Sequence, residues 1–290
     1  MKKLKQIVLD IKTKVAESNP AEMNDLLWQL ICYPPKMPLR LHQELLLADA
    51  EKFSVVINDP YFTKQQLTIN ACRWGTGKHK ILLTHGWGSK AADFDALITA
   101  LRELPNIQIV AFDAPACGSS GGDLSNLILF VAAAKAVIEA SGIPDVAIGH
   151  SFGAMTNVAA LSDLKIIPSL LISIAPFILL QENFIKNMTA AGVSQQAQQN
   201  FLDDFKAKYG IYPSYYNMPD LYTFDNTVNH WLAYDDQDMM LPDAYLQRFL
   251  KEHPSIKTKN YSGAGHERII KSAELISDVV GKVTTALADR

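Results

Sequence analysis

Two serines in this chain stand in the pattern Gly-x-Ser-x-Gly: Gly118-Ser119-Ser120-Gly121-Gly122 and Gly149-His150-Ser151-Phe152-Gly153. A serine hydroxyl becomes a nucleophile when a neighbouring base takes its proton. Small residues on both sides let it sit on a sharp strand-to-helix turn with the oxygen exposed. A chain of this length holds such a pattern by chance about one time in ten, so the setting has to discriminate. Val146-Ala147-Ile148 runs as a strand directly into Ser151, and Phe152-Gly153-Ala154-Met155 opens a helix directly after it. The N-terminus of that helix supplies backbone N–H groups for a developing oxyanion. Ser120 instead lies several residues past its strand, in a glycine-rich loop that reads as a flexible turn.

A nucleophile on such an elbow takes its acid and then its base from later in the chain. Two histidines follow both Ser151 and the acidic segment near 235–243: His253 and His266. His253, in Lys251-Glu252-His253-Pro254, reads as a solvated cap at a helix end. His266, in Ser262-Gly263-Ala264-Gly265-His266-Glu267, sits in a glycine-rich loop between the last strand and the last helix, where a base can be swung toward the nucleophile. The acid is expected just past the strand that ends at Tyr234, where Asp235, Asp236 and Asp238 compete. Asp235 and Asp236 also suit a capping role in the turn. No carboxylate lies within a few residues of Ala175-Pro176, where the preceding strand ends.

The elements that must position these groups follow from periodicity. Phe53–Ile57 and Leu67–Ala71 predict an antiparallel pair at a sheet edge. Strands are then expected at 81–84, 107–112, 146–148, 170–174, 230–234 and near 256–261. Helices are expected over about 91–104, 124–140, 152–161 and 243–251. A last helix should bury Ile270, Ala273, Ile276, Val279, Val280, Val283 and Leu287 along one face. Such alternation predicts an α/β fold: a mostly parallel central sheet with helices on both faces. Residues 1–52 read as an N-terminal helical extension broken at Pro34-Pro35, either packed on the core or mediating dimerisation. Residues 53–176 and 228–290 form the core, and 177–227, with no convincing strand, is expected to be a mainly helical cap insertion over the carboxyl ends of the strands.

Composition excludes several classes. Apolar residues make up 48% and charged residues 20%, with a formal net charge of -3, a balance that argues against a nucleic-acid partner. The basic start Met1-Lys2-Lys3-Leu4-Lys5 is followed by Asp10, Lys12 and Lys14 instead of an apolar stretch, and no apolar run approaches the ~20 residues of a transmembrane segment. The three widely spaced cysteines, Cys32, Cys72 and Cys117, show neither a disulfide framework nor a metal pattern, which favours a cytoplasmic location. No cofactor or metal site is read, and no oligomeric state is assigned.

The ordered motifs resemble the serine-nucleophile branch of the α/β-hydrolase superfamily over about residues 66–288. His85-Gly86-Trp87-Gly88 is similar to that family's His-Gly oxyanion loop, and Asp113-Ala114-Pro115-Ala116-Cys117-Gly118-Ser119-Ser120 resembles its D-x-P-G-H-G-x-S loop, with Ala116 and Cys117 in place of Gly and His. Asp238 through Pro242 matches the family's Asp-x-x-apolar-Pro turn, and Gly265-His266 its terminal Gly-His. The resemblance implies an α/β-hydrolase fold, a triad of Ser151, Asp238 and His266, and an oxyanion hole made by the backbone N–H groups of Trp87 and Phe152, with His85 structural. It implies hydrolysis of a carboxylic ester or thioester through an acyl-enzyme, with activity that falls on acidification as the histidine base takes up a proton. The serine excludes the aspartate nucleophile of dehalogenases and epoxide hydrolases of the same fold.

The expected substrate is a small molecule with an apolar acyl part, because 177–227 carries Phe177, Phe184, Phe201, Phe205, Tyr209, Tyr212, Tyr215, Tyr216 and Tyr222, which suit an acyl pocket or the insertion's own core. Rival readings are amide, peptide or carbon–carbon bond hydrolysis or perhydrolysis at the same serine, and a ligand-binding protein of low turnover.

Overall fold

The computed structural model describes residues 2–16 and 23–288; Met1 and residues 17–22 of the expected N-terminal extension, and 289–290, lie outside the described residues. An eight-stranded sheet runs in the order β1-β2-β4-β3-β5-β6-β7-β8. Its strands are β1 (Glu51–Asp59), β2 (Gln65–Trp74), β3 (His79–Thr84), β4 (Ile107–Phe112), β5 (Val146–His150), β6 (Leu170–Ile174), β7 (His230–Tyr234) and β8 (Lys257–Asn260). β1 and β2 pair antiparallel, β2 runs antiparallel to β4, and every pairing beyond β4 is parallel. The edge hairpin extends further than its apolar alternation, because polar ends such as Glu51 opposite Arg73 and Asp59 opposite Gln65 still pair through the backbone.

Alternate residues of the parallel strands feed two separate cores. Leu82, Val110, Ala147, Leu171 and Leu232 face one; Ile81, Leu83, Ile109, Ile148 and Ile172 face the other. Both faces are covered, which is why these strands read as unbroken apolar runs. On the second face lie α3 (Leu41–Ala48), α4 (Asp95–Leu101), which follows a 3-10 turn at Ala91–Phe94, and α11 (Ala273–Ala288). The last helix differs from its expected stripe. Ile269–Lys271 forms a separate 3-10 turn, so Ile270 falls outside the helix; Leu275 joins Val279 and Val283 on the buried face and Ala273 is exposed. Ser272 interrupts the run, and the helical phase is set by its true start, two residues before Leu275.

The first face holds α5 (Leu127–Ser141) and α6 (Phe152–Leu164). Residues 152–161 of α6 are all buried, so over this stretch the helix has no solvent face and hence no amphipathic signature. Between β6 and β7 the chain makes α7 (Leu180–Ala190), α8 (Gln195–Tyr209) and the short α9 (Met218–Leu221), and α10 (Asp243–Glu252) joins β7 to β8. The N-terminal α1 (Lys2–Ala16) and α2 (Met23–Cys32) pack on this same face, and α2 lies against α7 and α8. Trp28 Nε1 and Asn24 Nδ2 both donate to Asp204 Oδ2, at 2.7 and 3.0 Å, and the Trp28 ring meets Phe201 and Phe205 at 4.8 and 5.9 Å. Among the described residues no helix is long and apolar enough to cross a membrane.

Candidate active site

β5 ends at His150 and α6 begins at Phe152, which leaves Ser151 to turn the chain by itself. Its backbone sits at φ 53° and ψ -121°, a strained conformation for a residue with a side chain. Three backbone hydrogen bonds hold it: Ser151 N–H donates to Ile174 O (2.9 Å), and Ala154 N–H and Phe177 N–H donate to Ser151 O (3.0 and 3.1 Å). The flanking glycines are sterically required. A Cβ on Gly153 would stand 2.0 Å from Thr84 O, and one on Gly149 2.5 Å from Ala154 Cα. The close approach of α6 to β3 and β5 that they permit brings the serine to the carboxyl end of the sheet.

The structure brings Ser151, His266 and Asp238 into one hydrogen-bonded line. His266 Nε2 lies 2.8 Å from Ser151 Oγ, and His266 Nδ1 lies 2.6 Å from Asp238 Oδ2. The Asp238 side chain is 1% exposed and that of His266 16%. Burial raises the Asp238 carboxyl, but the hydrogen bond and charge of His266, together with the N–H of Met240 (2.8 Å from Oδ1), hold it below the ordinary carboxylate value. With the carboxylate accepting from Nδ1–H, Nε2 is free to accept the serine proton.

Asp235 and Asp236 do not reach the imidazole; they take other positions. Asp236 is exposed, and its N–H donates to Asn260 Oδ1 (3.1 Å). Asp235 is buried, and it does more than shape its own turn. Its Oδ1 accepts from Gln237 N–H (2.9 Å) and Gly263 N–H (3.0 Å), and its Oδ2 from Gly265 N–H (2.6 Å). Burial raises this carboxyl and those three N–H donors, Gly265 foremost, bring it below the ordinary value. Asp235 thus holds the glycine loop that carries His266.

His150 is a second organiser of that loop, and sequence reasoning missed it. Its Nε2 donates to His266 O at 2.8 Å, and its ring lies 5.2 Å from the His266 ring. Burial, reinforced by the neighbouring His266, pushes the His150 imidazole down to about 4. The available signal was its place, immediately before the nucleophile at the buried end of a strand.

Trp87 and Phe152 line the same cavity as Ser151. Phe152 is the first residue of α6, so its N–H has no intrahelical acceptor, and among the described residues neither this N–H nor that of Trp87 has a hydrogen-bond partner. His85 is buried and fixed: its Nδ1–H donates to Gly86 O (2.7 Å) and its Nε2 accepts from Ala114 N–H (2.9 Å). Gly88, at φ 68°, packs its backbone on Pro35, so the segment after α2 supports the Trp87 turn.

The remaining sequence candidates are structural. Ser120 is not in a flexible turn: it is buried, its Oγ accepts from Asn70 N–H (2.8 Å) and donates to Asp113 O (2.6 Å), and it staples the loop to β2. His253 ends α10 as expected, but it is half-buried against the Tyr222 and Phe249 rings (4.4 and 4.9 Å) instead of solvated. Ala116 stands at φ 64°, where the resembling loops place glycine, and Cys117 is buried, which pushes its thiol up to about 12.

A cavity of about 590 Å³ opens on Ser151 and His266. Phe177, Phe184, Phe205 and Tyr216 contribute to its walls, whereas Phe201 is buried in the core beside Trp28, Tyr222 stacks on His230, and Tyr215 is exposed. The aromatics therefore divide between cavity and core. One wall was not foreseen: Leu30, Ile31 and Cys32 at the end of α2. Among the described residues no group of three or more His, Cys, Asp or Glu side chains is placed to hold a metal ion.

A family model described as the alpha/beta hydrolase family matches residues 81–278. No curated protein matches the sequence. Among solved structures, an esterase of Pyrococcus furiosus is similar at 18% identity and a TM-score of 0.60, covering 89% of this chain and 98% of its own. A thioesterase domain from the curacin biosynthetic pathway is similar at 18% identity and a TM-score of 0.55, covering 79% of this chain and 99% of its own. A haloalkane dehalogenase of Agrobacterium tumefaciens is similar at 12% identity and a TM-score of 0.60, covering 82% of this chain and 97% of its own. At these identities the likeness concerns the fold, which an esterase, a thioesterase domain and a dehalogenase share.

Proposed function

The chain belongs to the alpha/beta hydrolase family, and from that premise we propose that it is a serine hydrolase cleaving a carboxylic ester or thioester through an acyl-enzyme. Ser151 Oγ attacks the carbonyl carbon as His266 Nε2 takes its proton, and Asp238 holds the ring in the Nδ1–H tautomer and stabilises the imidazolium. The N–H groups of Trp87 and Phe152 donate to the oxyanion, helped by the positive end of α6. His266 then returns the proton to the leaving alcohol or thiol. Water, deprotonated by the same ring, releases the acid and restores the serine.

The observation that carries this reading is the unbroken line from Asp238 Oδ2 through His266 to Ser151 Oγ, ending at the mouth of a mostly apolar cavity. That cavity suits a small molecule with an apolar acyl part. We assign residues 177–227 the role of a cap, since Phe177, Phe184 and Phe205 line the cavity that Ser151 opens on, and the end of α2, at Leu30, Ile31 and Cys32, the role of a second wall. A cytoplasmic location is consistent with Cys32, Cys72 and Cys117 standing as free thiols.

Turnover of a panel of p-nitrophenyl esters and acyl thioesters tests the reading. The wild-type chain is expected to hydrolyse at least one acyl length, and Ser151→Ala to lose on the order of 10³-fold or more in kcat with its fold intact. Equal turnover by the two proteins would overturn it.

A further inference from the structure

One corner of the cavity is built from hydrogen-bond donors. Asn126 caps the 15-residue helix α5, its Oδ1 accepting from Leu129 N–H at 2.9 Å. The N–H groups of Leu127 and Ile128, the first two of the helix, have no acceptor among the described residues. Ser125, Asn126, Leu127 and Ile128 all line the cavity. Ser125 is fully buried, and its Oγ has no hydrogen-bond partner. Buried hydroxyls are ordinarily paired, so an unpaired one that lines a cavity points to a partner carried by a ligand.

The corner lies within reach of the reacting centre. Phe130, one turn into α5, meets the Phe152 ring edge-on at 5.0 Å and stacks on Trp87 at 5.7 Å. The start of α5 is therefore about one helical pitch, ~5.4 Å, along the helix from the rings that flank Ser151. The polar groups nearby do not compete for the donors. The Asn126 Oδ1 is already engaged, its Nδ2 donates to Tyr209 OH (2.8 Å), and the Cys32 thiol is kept neutral by burial, which pushes it up to about 12. Ser125 N–H donates to Cys32 O (2.8 Å), which ties the corner to the end of α2 and fixes its shape. Two helix N–H groups and one hydroxyl, at the positive end of a helix dipole, favour an oxygen acceptor.

We propose that Ser125 and the first turn of α5 bind an oxygen acceptor carried a short way along the substrate's acyl chain, so that oxygenated acyl esters or thioesters are preferred over plain aliphatic ones. This rests on the serine-hydrolase reading of Ser151. The acceptor chemistry is shared by a neutral keto or ether oxygen and a carboxylate, and the helix N-terminus favours the carboxylate.

The test compares kcat/KM for p-nitrophenyl esters of four to eight acyl carbons, each length as a plain, a terminally methoxylated and a terminally carboxylated chain. At one length an oxygenated ester is expected to exceed the plain one by about tenfold. Ser125→Ala should remove most of that advantage, lowering kcat/KM for the favoured oxygenated ester far more than for the plain ester of the same length. Because the Oγ has no hydrogen-bond partner within the protein, the variant should melt no lower than wild type. The carboxylated and methoxylated arms report whether the bound oxygen is charged. Plain esters preferred at every length, or an equal effect of Ser125→Ala on all arms, overturns the proposal. Calorimetry of the same esters with Ser151→Ala reads binding without turnover, so the corner is tested even if the catalytic reading fails.

Discussion

Asp238 and Asp235 stand three residues apart in one turn and serve different atoms. Asp238 faces His266 Nδ1; Asp235 faces the N–H groups of Gly263 and Gly265. No periodicity in a turn decides which of two aspartates points where; only the spacing from Asp238 to Pro242, shared with the α/β-hydrolases, distinguishes Asp238 in the sequence. On the proposed mechanism Asp238→Asn leaves the geometry in place but favours the wrong tautomer, so kcat should fall by about 10³ to 10⁴ with little change in KM. Asp235→Asn replaces an acceptor with an NH₂ that faces backbone donors. It should lower stability by about 1–3 kcal/mol, read by urea unfolding, and reduce kcat through the displaced His266 loop, while Ser151→Ala should leave stability close to wild type. His150 escaped notice because a histidine inside the Gly-x-Ser-x-Gly pattern occupies a variable position, and its carbonyl partner belongs to a residue 116 positions away.

At the scale of elements, the strand–helix alternation was legible because strands buried on both faces are apolar throughout and short. The nucleophile's elbow was legible for a steric reason. Gly153→Ala tests that reason directly: a methyl 2.0 Å from Thr84 O cannot be accommodated by rotating a side chain, since the obstacle is backbone. Its cost should exceed about 4 kcal/mol, appearing as a collapse of the melting midpoint or loss of soluble protein; a midpoint within a few degrees of wild type would contradict the packing. What was not legible was the use of α2. An amphipathic helix declares which face is buried but not against what, and Leu27, Trp28 and Ile31 could equally have met a second copy of the chain. Trp28→Phe keeps most of the ring and removes the donor to Asp204. Urea unfolding should show a loss of about 1–3 kcal/mol, and the preferred acyl length should shift, because the end of this helix lines the cavity.

For the whole molecule, the end of α2, the loops at the carboxyl ends of the strands and the segment between β6 and β7 line the cavity at Ser151, and the pH response is shared among buried imidazoles. Burial holds His150 at about 4 and, with His253 nearby, His230 at about 3. An unfolded histidine titrates near 6.5. Both folded values are depressed, so between pH ~6.5 and ~4 the unfolded chain binds more protons, and stability falls as pH falls. Urea unfolding at pH 7 and pH 4.5 should differ by a few kcal/mol in favour of pH 7, with equal midpoints contradicting the neutral burial of these rings.

Everything in this mechanism turns on Ser151 being an activated nucleophile with His266 as its base. A fluorophosphonate probe followed by peptide mass spectrometry measures this most directly. A single adduct is expected on Ser151, and it should disappear in His266→Ala with the variant still folded. An adduct on a different residue, or none on Ser151 while the apolar cavity still takes up a hydrophobic dye of similar size, would contradict it.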